Sequence, residues 1–317
     1  MLGNNEINLT KENSKKFYYS KLKIKKEKEE LEKFLKENPS LKRIDELRIL
    51  KSTEAFVDPT RKKSFYQIEG FLFKNKEIIE EKIKELMEKI KEEIKDYREE
   101  EVYIMDNNST IFPSMDRGIP KEMVPEKMNE LLFFINKEGD KSEINDFIKS
   151  QIIHFYLVYI HPFTDGNGRC ARTLSKWYLL NHNDYHLSLV NRYYLTHKDE
   201  YKKVIQKSKK GDLSPFISLS LKGLLNELKI EENITRIEED RNIKLEDQEY
   251  LCLEYLYHTS NHSLQELSRM IKIFGNYEKR EEFLKESLSL LLKKGIVSIE
   301  DGKIEILKNQ VNRKQLN

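Results

Sequence analysis

Twelve residues, His161-Pro162-Phe163-Thr164-Asp165-Gly166-Asn167-Gly168-Arg169-Cys170-Ala171-Arg172, bring together an imidazole, a carboxylate, a Gly-Asn-Gly turn and two guanidinium groups. An imidazole with an ordinary pKa of ~6.5 is neutral at cellular pH and can accept a proton. A positioned general base of this kind contributes roughly 10²–10⁴ in rate. Glycine lets a phosphate come close to backbone N–H groups, so Gly166 and Gly168, with Asn167 between them, form a candidate phosphate cradle. Arg169 and Arg172 are neighbours on one helix face and can hold phosphate oxygens through charge-assisted forks. Asp165 is a single carboxylate beside the cradle, the kind of donor that Mg²⁺ takes together with phosphate oxygens. Phe163 reads as a packing anchor. Taken singly, each residue has an ordinary explanation: a core histidine, a turn, a solvated helix face. In this order they point to activation of a hydroxyl beside nucleotide phosphates.

The flanking segments supply the elements that must hold this set. Ile144, Phe147, Ile148, Ile152, Phe155 and Val158 recur near a helical repeat. Pro162 cannot continue that helix and disfavours helical geometry at His161, which therefore sits at a helix exit. Ala171, Leu174, Trp177 and Tyr178 continue at helical spacing, so a second helix is expected to start at Asn167 or Gly168. Its first turn offers unpaired N–H groups and the positive end of the helix dipole.

The segment resembles the signature of the Fic family, H-P-F-x-[D/E]-G-N-G-R-x-x-R, and His161 through Arg172 match every fixed position. The resemblance implies a mainly α fold, a Fic-type helical core with a small β-hairpin flap. It also implies a protein adenylyltransferase moving AMP from ATP to a Ser, Thr or Tyr hydroxyl of a target protein. By that resemblance His161 deprotonates the hydroxyl and Asp165 holds Mg²⁺. Asn167, Gly168 and Arg169 serve the α- and β-phosphates and Arg172 the γ-phosphate, with Gly166 part of the phosphate-binding loop. A related branch that transfers phosphate departs from G-N-G-R, so the intact loop favours nucleotidyl transfer.

Three further segments extend this reading. Val102-Tyr103-Ile104-Met105 and Ser109-Thr110-Ile111-Phe112 flank Asp106-Asn107-Asn108, which reads as a hairpin over 102–112. In proteins that resemble this one such a flap takes the target as an added strand. Ser64-Phe65-Tyr66-Gln67-Ile68-Glu69-Gly70 is similar to the family's inhibitory pattern [S/T]-x-x-x-E-[G/N]. The resemblance implies that Glu69 pairs with Arg172 and blocks the γ-phosphate position; in some relatives this glutamate also supports removal of AMP. The hydroxyl at the pattern's first position is missing, because Phe65 stands there and Ser64 is one position early. Tyr194, in Asn191-Arg192-Tyr193-Tyr194, reads either as a stacking partner for the base and ribose or as a core residue.

Composition sets the outer bounds. Among 317 residues, 57 Lys and Arg balance 55 Asp and Glu, giving +2 overall and no general attraction to nucleic acid or acidic membranes. Two cysteines, Cys170 and Cys252, suggest no disulfide framework. No signal-like run or membrane-length apolar span is present in the sequence, and a cytoplasmic setting is expected. The expected organisation is an N-terminal helical region over 1–100 with the inhibitory motif near 64–70, a catalytic core over 101–230, a linker over 231–245, and a winged-helix-like domain over 246–310. The last rests on three helical patterns and a hairpin about Asp301-Gly302, a strong tight-turn signal. The third helix mixes Glu278, Glu281, Glu282 and Glu286 with Lys279, Arg280, Lys285, Lys293 and Lys294. That balance is a poor phosphate footprint, so protein contact or homodimerisation is expected ahead of DNA binding. The alternative function is a winged-helix transcriptional regulator with a nucleotide-sensing core, although a sensor has no need of the base His161. No H-E-x-x-H or Cys/His cluster suggests a zinc enzyme, and His182/His186 and His258/His262 lack evident further ligands.

Overall fold

The structure, a computed structural model, describes residues 4–7, 17–43, 62–105, 115–137, 142–259, 263–270 and 277–307. Contacts divide the chain into two units, Met1–Lys36 with Lys63–Leu224, and Glu37–Lys62 with Leu225–Asn317. The described residues are mainly helical, with three two-stranded antiparallel sheets.

The first unit begins with β1 (Asn4–Ile7), β2 (Phe17–Ser20) and α1 (Lys25–Glu37). It continues with α2 (Lys62–Lys74), α3 (Glu80–Ile90) and a short hairpin, β3 (Tyr103–Met105) and β4 (Met115–Arg117). Then come α4 (Val124–Asn136), α5 (Glu143–Ile160), α6 (Asn167–Asn181), α7 (Val190–Thr196) and α8 (Lys198–Ser208). The central element is α5. Ile144, Phe147, Ile148, Ile152, Ile153, Phe155, Leu157 and Ile160 are all buried, as expected for a helix surrounded by others. Ser142 caps its start by accepting the Asn145 N–H at 3.1 Å. Phe17 on β2 plugs one side of this helix, edge-on to Phe155, Tyr156 and Tyr159. On α3, Ile83, Leu86 and Ile90 are buried as one helical stripe, whereas Ile79 precedes the helix and is exposed.

Two expectations change here. The hairpin's first strand lies where expected, but its partner is Met115–Arg117, with Tyr103 opposite Arg117 and Met105 opposite Met115. Ser109–Phe112, expected as the second strand, falls outside the described residues. The expected linker over 231–245 is instead largely helical: α9 runs Ser214–Arg241, and only 242–246 precede the next helix.

The second unit carries α10 (Asp247–His258), α11 (Leu264–Met270), α12 (Tyr277–Lys293), β5 (Val297–Glu300) and β6 (Lys303–Ile306). Its core joins Ile230 and Ile234 of α9 to Leu253, Tyr255, Leu267, Leu288, Leu291 and Ile304. A capping box starts α10: the Glu246 N–H donates to Glu249 at 2.7 Å, and the Glu246 side chain caps the first turn in return. Ser263 caps α11, its Oγ accepting the Glu266 N–H at 3.1 Å, as the Ser263–Glu266 spacing implies. The β5–β6 turn places Asp301 and Gly302 at φ 49° and 74°, the left-handed pair that an Asp-Gly hairpin turn requires. A single antiparallel bridge links Ser263 to Lys303. No helix among the described residues is long and apolar enough to cross a membrane.

Candidate active site

The signature residues occupy the loop between α5 and α6 and the first turns of α6. The chain leaves α5 at His161, which closes the helix in the left-handed conformation (φ 52°, ψ 57°) while its N–H still donates to the Leu157 carbonyl at 2.9 Å. A side chain other than glycine pays about 1–2 kcal/mol for that conformation, so something must hold it. Arg98 does. Its N–H donates to the Pro162 carbonyl at 2.8 Å and its Nε to the His161 carbonyl at 2.8 Å. Its two terminal nitrogens reach Glu100 O at 2.9 Å and Ile119 O at 2.6 Å. Arg98 is buried, and nothing in the sequence singled it out.

The loop then turns on Phe163 and Gly166. Phe163 is fully buried against Tyr97, the anchor role its type suggested. Gly166 sits at φ 79°, and a Cβ there would come within 2.5 Å of the Met87 methyl on α3. Only glycine satisfies both demands. Asn167, the first residue of α6, is buried and bridges Phe163 on both sides: its Oδ1 accepts the Phe163 N–H at 2.9 Å and its Nδ2 donates to the Phe163 carbonyl at 2.7 Å. The Asn167 side chain is therefore committed to shaping the loop. What it can offer a phosphate is its backbone N–H, together with those of Gly168 and Arg169, which by helix geometry have no intrahelical acceptor.

The charged groups are distributed around this helix start. Burial lowers the His161 imidazole to about 4, with Lys209 and Arg98 adding to the effect and the Val158 backbone and Asp165 opposing it. Its Nδ1 is buried without a hydrogen-bond partner among the described residues. The ring is thus neutral at cellular pH, as a proton acceptor must be. Asp165 is exposed; its Oδ1 accepts the Gly166 N–H at 2.6 Å and its Oδ2 meets Lys91 Nζ at 2.7 Å. The hydrogen bond from Lys91 holds the Asp165 carboxyl below the usual carboxylate range. An exposed carboxylate with a fixed orientation suits Mg²⁺ shared with phosphate oxygens, provided Lys91 yields the Oδ2. Arg169 donates to the Ile90 carbonyl at the end of α3 at 2.9 Å. Arg172 lies one turn further along α6, and its charge reaches the buried His154 and Tyr201 behind the loop.

Two expected site residues sit elsewhere. Glu69 is buried on α2 and forms an ion pair with Lys176 of α6; Tyr185 also donates to it, at 3.5 Å. Its carboxylate is thus on Lys176 rather than on Arg172, the partner expected for it. The two residues are four apart on α6 and so share a face, and the lysine is the one that α2 meets. Around this pair, Trp177 Nε1 donates to Asn75 O at 2.7 Å and Asn181 to Lys76 O at 2.7 Å, fastening the end of α2 to α6. Tyr194 is 1 % exposed; its hydroxyl lies 2.7 Å from Gln151 Oε1 and 2.5 Å from Ser220 Oγ, and its ring packs on His154, Tyr201 and Phe216. It is a core residue and has no face to offer a nucleotide base.

A second titratable group lies at the far end of α5. Glu143, Asp184 and His186 place ligand atoms within 4.8 Å of one another, with His186 Nε2 at 2.7 Å from Glu143. His186 therefore has the carboxylate neighbours that its sequence spacing did not reveal. Elsewhere, Gly211 and Asp212 are structural: Gly211 O accepts the Tyr18 N–H, and Asp212 caps the start of α9 and pairs with Lys23.

Residues 73–179 match the model of the Fic/DOC family. The chain is 30% identical over 99 residues to protein adenylyltransferase fic-1 of Caenorhabditis elegans, a stretch covering 31% of this chain and 18% of that protein. It is 31% identical over 121 residues to protein adenylyltransferase Fic of Nematostella vectensis, covering 38% and 25%. The chain thus spans a quarter or less of the length of these relatives. Its fold is similar to a crystal structure of a Fic family protein from Desulfovibrio desulfuricans G20, with a TM-score of 0.53 and 16% identity over 91% of this chain and 96% of that one.

Proposed function

We propose that this chain, whose residues 73–179 match the Fic/DOC family model, transfers AMP from ATP to a hydroxyl side chain of a protein. The observation that carries the proposal is His161 held at the exit of α5, beside a glycine-lined helix start bearing Arg169 and Arg172. Phosphate oxygens would meet the backbone N–H groups of the first turn of α6 and the two guanidinium groups, which neutralise charge as it develops. Asp165 would hold the Mg²⁺ that accompanies ATP and offsets the phosphate charge. His161 takes the proton of the target hydroxyl, whose oxygen attacks the α-phosphorus. The bond from the α-phosphorus to the bridging oxygen breaks and pyrophosphate leaves, carrying the electron pair. A target segment is proposed to lie along the β3–β4 hairpin, whose foot is fastened to the His161 loop.

Control is proposed to run through α2. Glu69 holds Lys176, and the α2 end is fastened at Trp177 and Asn181, so α2 restrains the face of α6 that carries Arg172. The C-terminal helices and hairpin are proposed to form a winged-helix-like unit serving protein contact, in line with the mixed charges on α12.

ATP labelled at the α-phosphate and ATP labelled at the γ-phosphate separate the readings. Label passing to protein only from the α-position supports AMP transfer. Label passing only from the γ-position would replace it with a kinase reading.

A further inference from the structure

Arg98 is buried, yet among the described residues none of its hydrogen bonds goes to a carboxylate. All four of those described end on backbone carbonyls: His161, Pro162, Glu100 and Ile119. Burial works against its charge, and Glu101 and Glu122 offset this only at a distance. Holding a cation in such a place is costly unless its fork is needed, and a planar guanidinium is the one side chain able to donate in several fixed directions at once. Two of the carbonyls set the backbone at the strained His161 exit. The other two set the hairpin: Glu100 stands just before β3, and Ile119 follows β4 by two residues. The Gly118 N–H donates to Val102 O at 3.2 Å, closing the same foot, and a Cβ on Gly118 would touch Val102 at 3.0 Å and Arg98 at 3.5 Å.

We propose that Arg98 is a positioning residue: its guanidinium ties the foot of the β3–β4 hairpin, at the Glu100 and Ile119 carbonyls, to the His161 carbonyl, so that a target strand on the hairpin and the ring that takes its proton share one frame. This rests on the proposed role of His161 as base. Arg98 touches neither nucleotide nor hydroxyl in that scheme, and it acts only through what it holds. A displacement of about 1 Å at a reacting group typically costs ~10²-fold in rate, whereas nucleotide binding at the start of α6 does not depend on the clasp.

The test uses the full chain and two readouts. Arg98→Lys keeps the charge but loses the fork. Its kcat for AMP transfer should fall about 10²-fold while the KM for ATP stays within about 2-fold. In protein labelled with ¹³C-histidine, the His161 ring resonance, identified by its loss in His161→Ala, should shift or broaden. The resonances of the other histidines should hold still. Arg98→Ala provides the second variant: added guanidinium ion should restore both transfer and the resonance. The proposal is overturned if the His161 resonance of Arg98→Lys is that of the unaltered protein, if kcat is unchanged, or if all histidine resonances move together. The resonance needs no activity. A chain that transfers nothing would sink the AMP-transfer reading while Arg98 is still judged by its effect on the ring.

Discussion

Two buried cations fasten the signature loop's surroundings, and they are held in opposite ways. Arg98 gives its hydrogen bonds to backbone carbonyls, whereas Lys176 faces the carboxylate of Glu69. The first arrangement draws separate stretches of main chain onto one side chain, with only distant carboxylates offsetting its charge. The second neutralises charge but fixes only side chain to side chain. A backbone clasp has no partner that a competing ion can displace, which suits a part that must not move. An ion pair can be exchanged for another, which suits a part that is released. On the proposed reading, the difference suits the hairpin foot to geometry and the α2 dock to control.

The largest effect sets the scale for that comparison. His161→Ala should lower AMP transfer by roughly 10²–10⁴ while leaving ATP binding by calorimetry intact. Transfer at the unaltered rate would remove the base from the scheme. Breaking the ion pair comes next. Glu69→Gln removes the carboxylate that the buried Lys176 faces and should destabilise the fold by about 3–5 kcal/mol in a urea titration. Replacing both, Glu69→Leu with Lys176→Met, should recover most of that loss, and transfer should then rise if the dock restrains α6. A double variant no more stable than the single one would show that the pair is not the source of the effect.

Acid tests the base from another side. With His161 at about 4, the neutral form dominates at neutral pH, so transfer should be level from pH 7 downwards and fall to half near pH 4, where the ring becomes protonated. A half-point near ~6.5 would mean a ring that is solvated like a free imidazole. Of the predicted effects, Lys91→Ala should be smallest. The Lys91–Asp165 pair is exposed, so stability should change by ~1 kcal/mol or less. Release of Asp165 should nonetheless raise Mg²⁺ affinity in the presence of ATP, read as the Mg²⁺ concentration for half-maximal transfer. An unchanged or higher requirement would show that Lys91 does not compete for that carboxylate.

The sequence made the helical hairpin around the loop legible because its apolar residues keep one period and Pro162 marks the exit. It made the β5–β6 turn legible because Asp-Gly has few other uses. It hid three things for physical reasons. The last turns of α9 read as a linker because Glu231, Glu232, Glu238, Glu239 and Asp240 outweigh a stripe of only Ile230, Ile234 and Ile237. That stripe faces a core built by residues later in the chain. Arg98 and Lys91 were lost in a stretch where nearly every residue is charged, and burial, which composition does not report, is what distinguishes Arg98. Tyr194 was left between a nucleotide and the core because an aromatic beside an arginine fits either. Gln151 and Ser220, which take its hydroxyl, lie 43 and 26 residues away.

The amide of Asn167 has a consequence for the durability of the protein. Asparagine followed by glycine, here Asn167-Gly168, is the pairing most prone to lose ammonia by ring closure onto the next backbone nitrogen. Helical geometry and the two bonds to Phe163 keep that nitrogen out of reach while the chain is folded. Each visit to the unfolded state removes the protection. The succinimide so formed opens to aspartate or isoaspartate, neither of which has an amide proton for the Phe163 carbonyl.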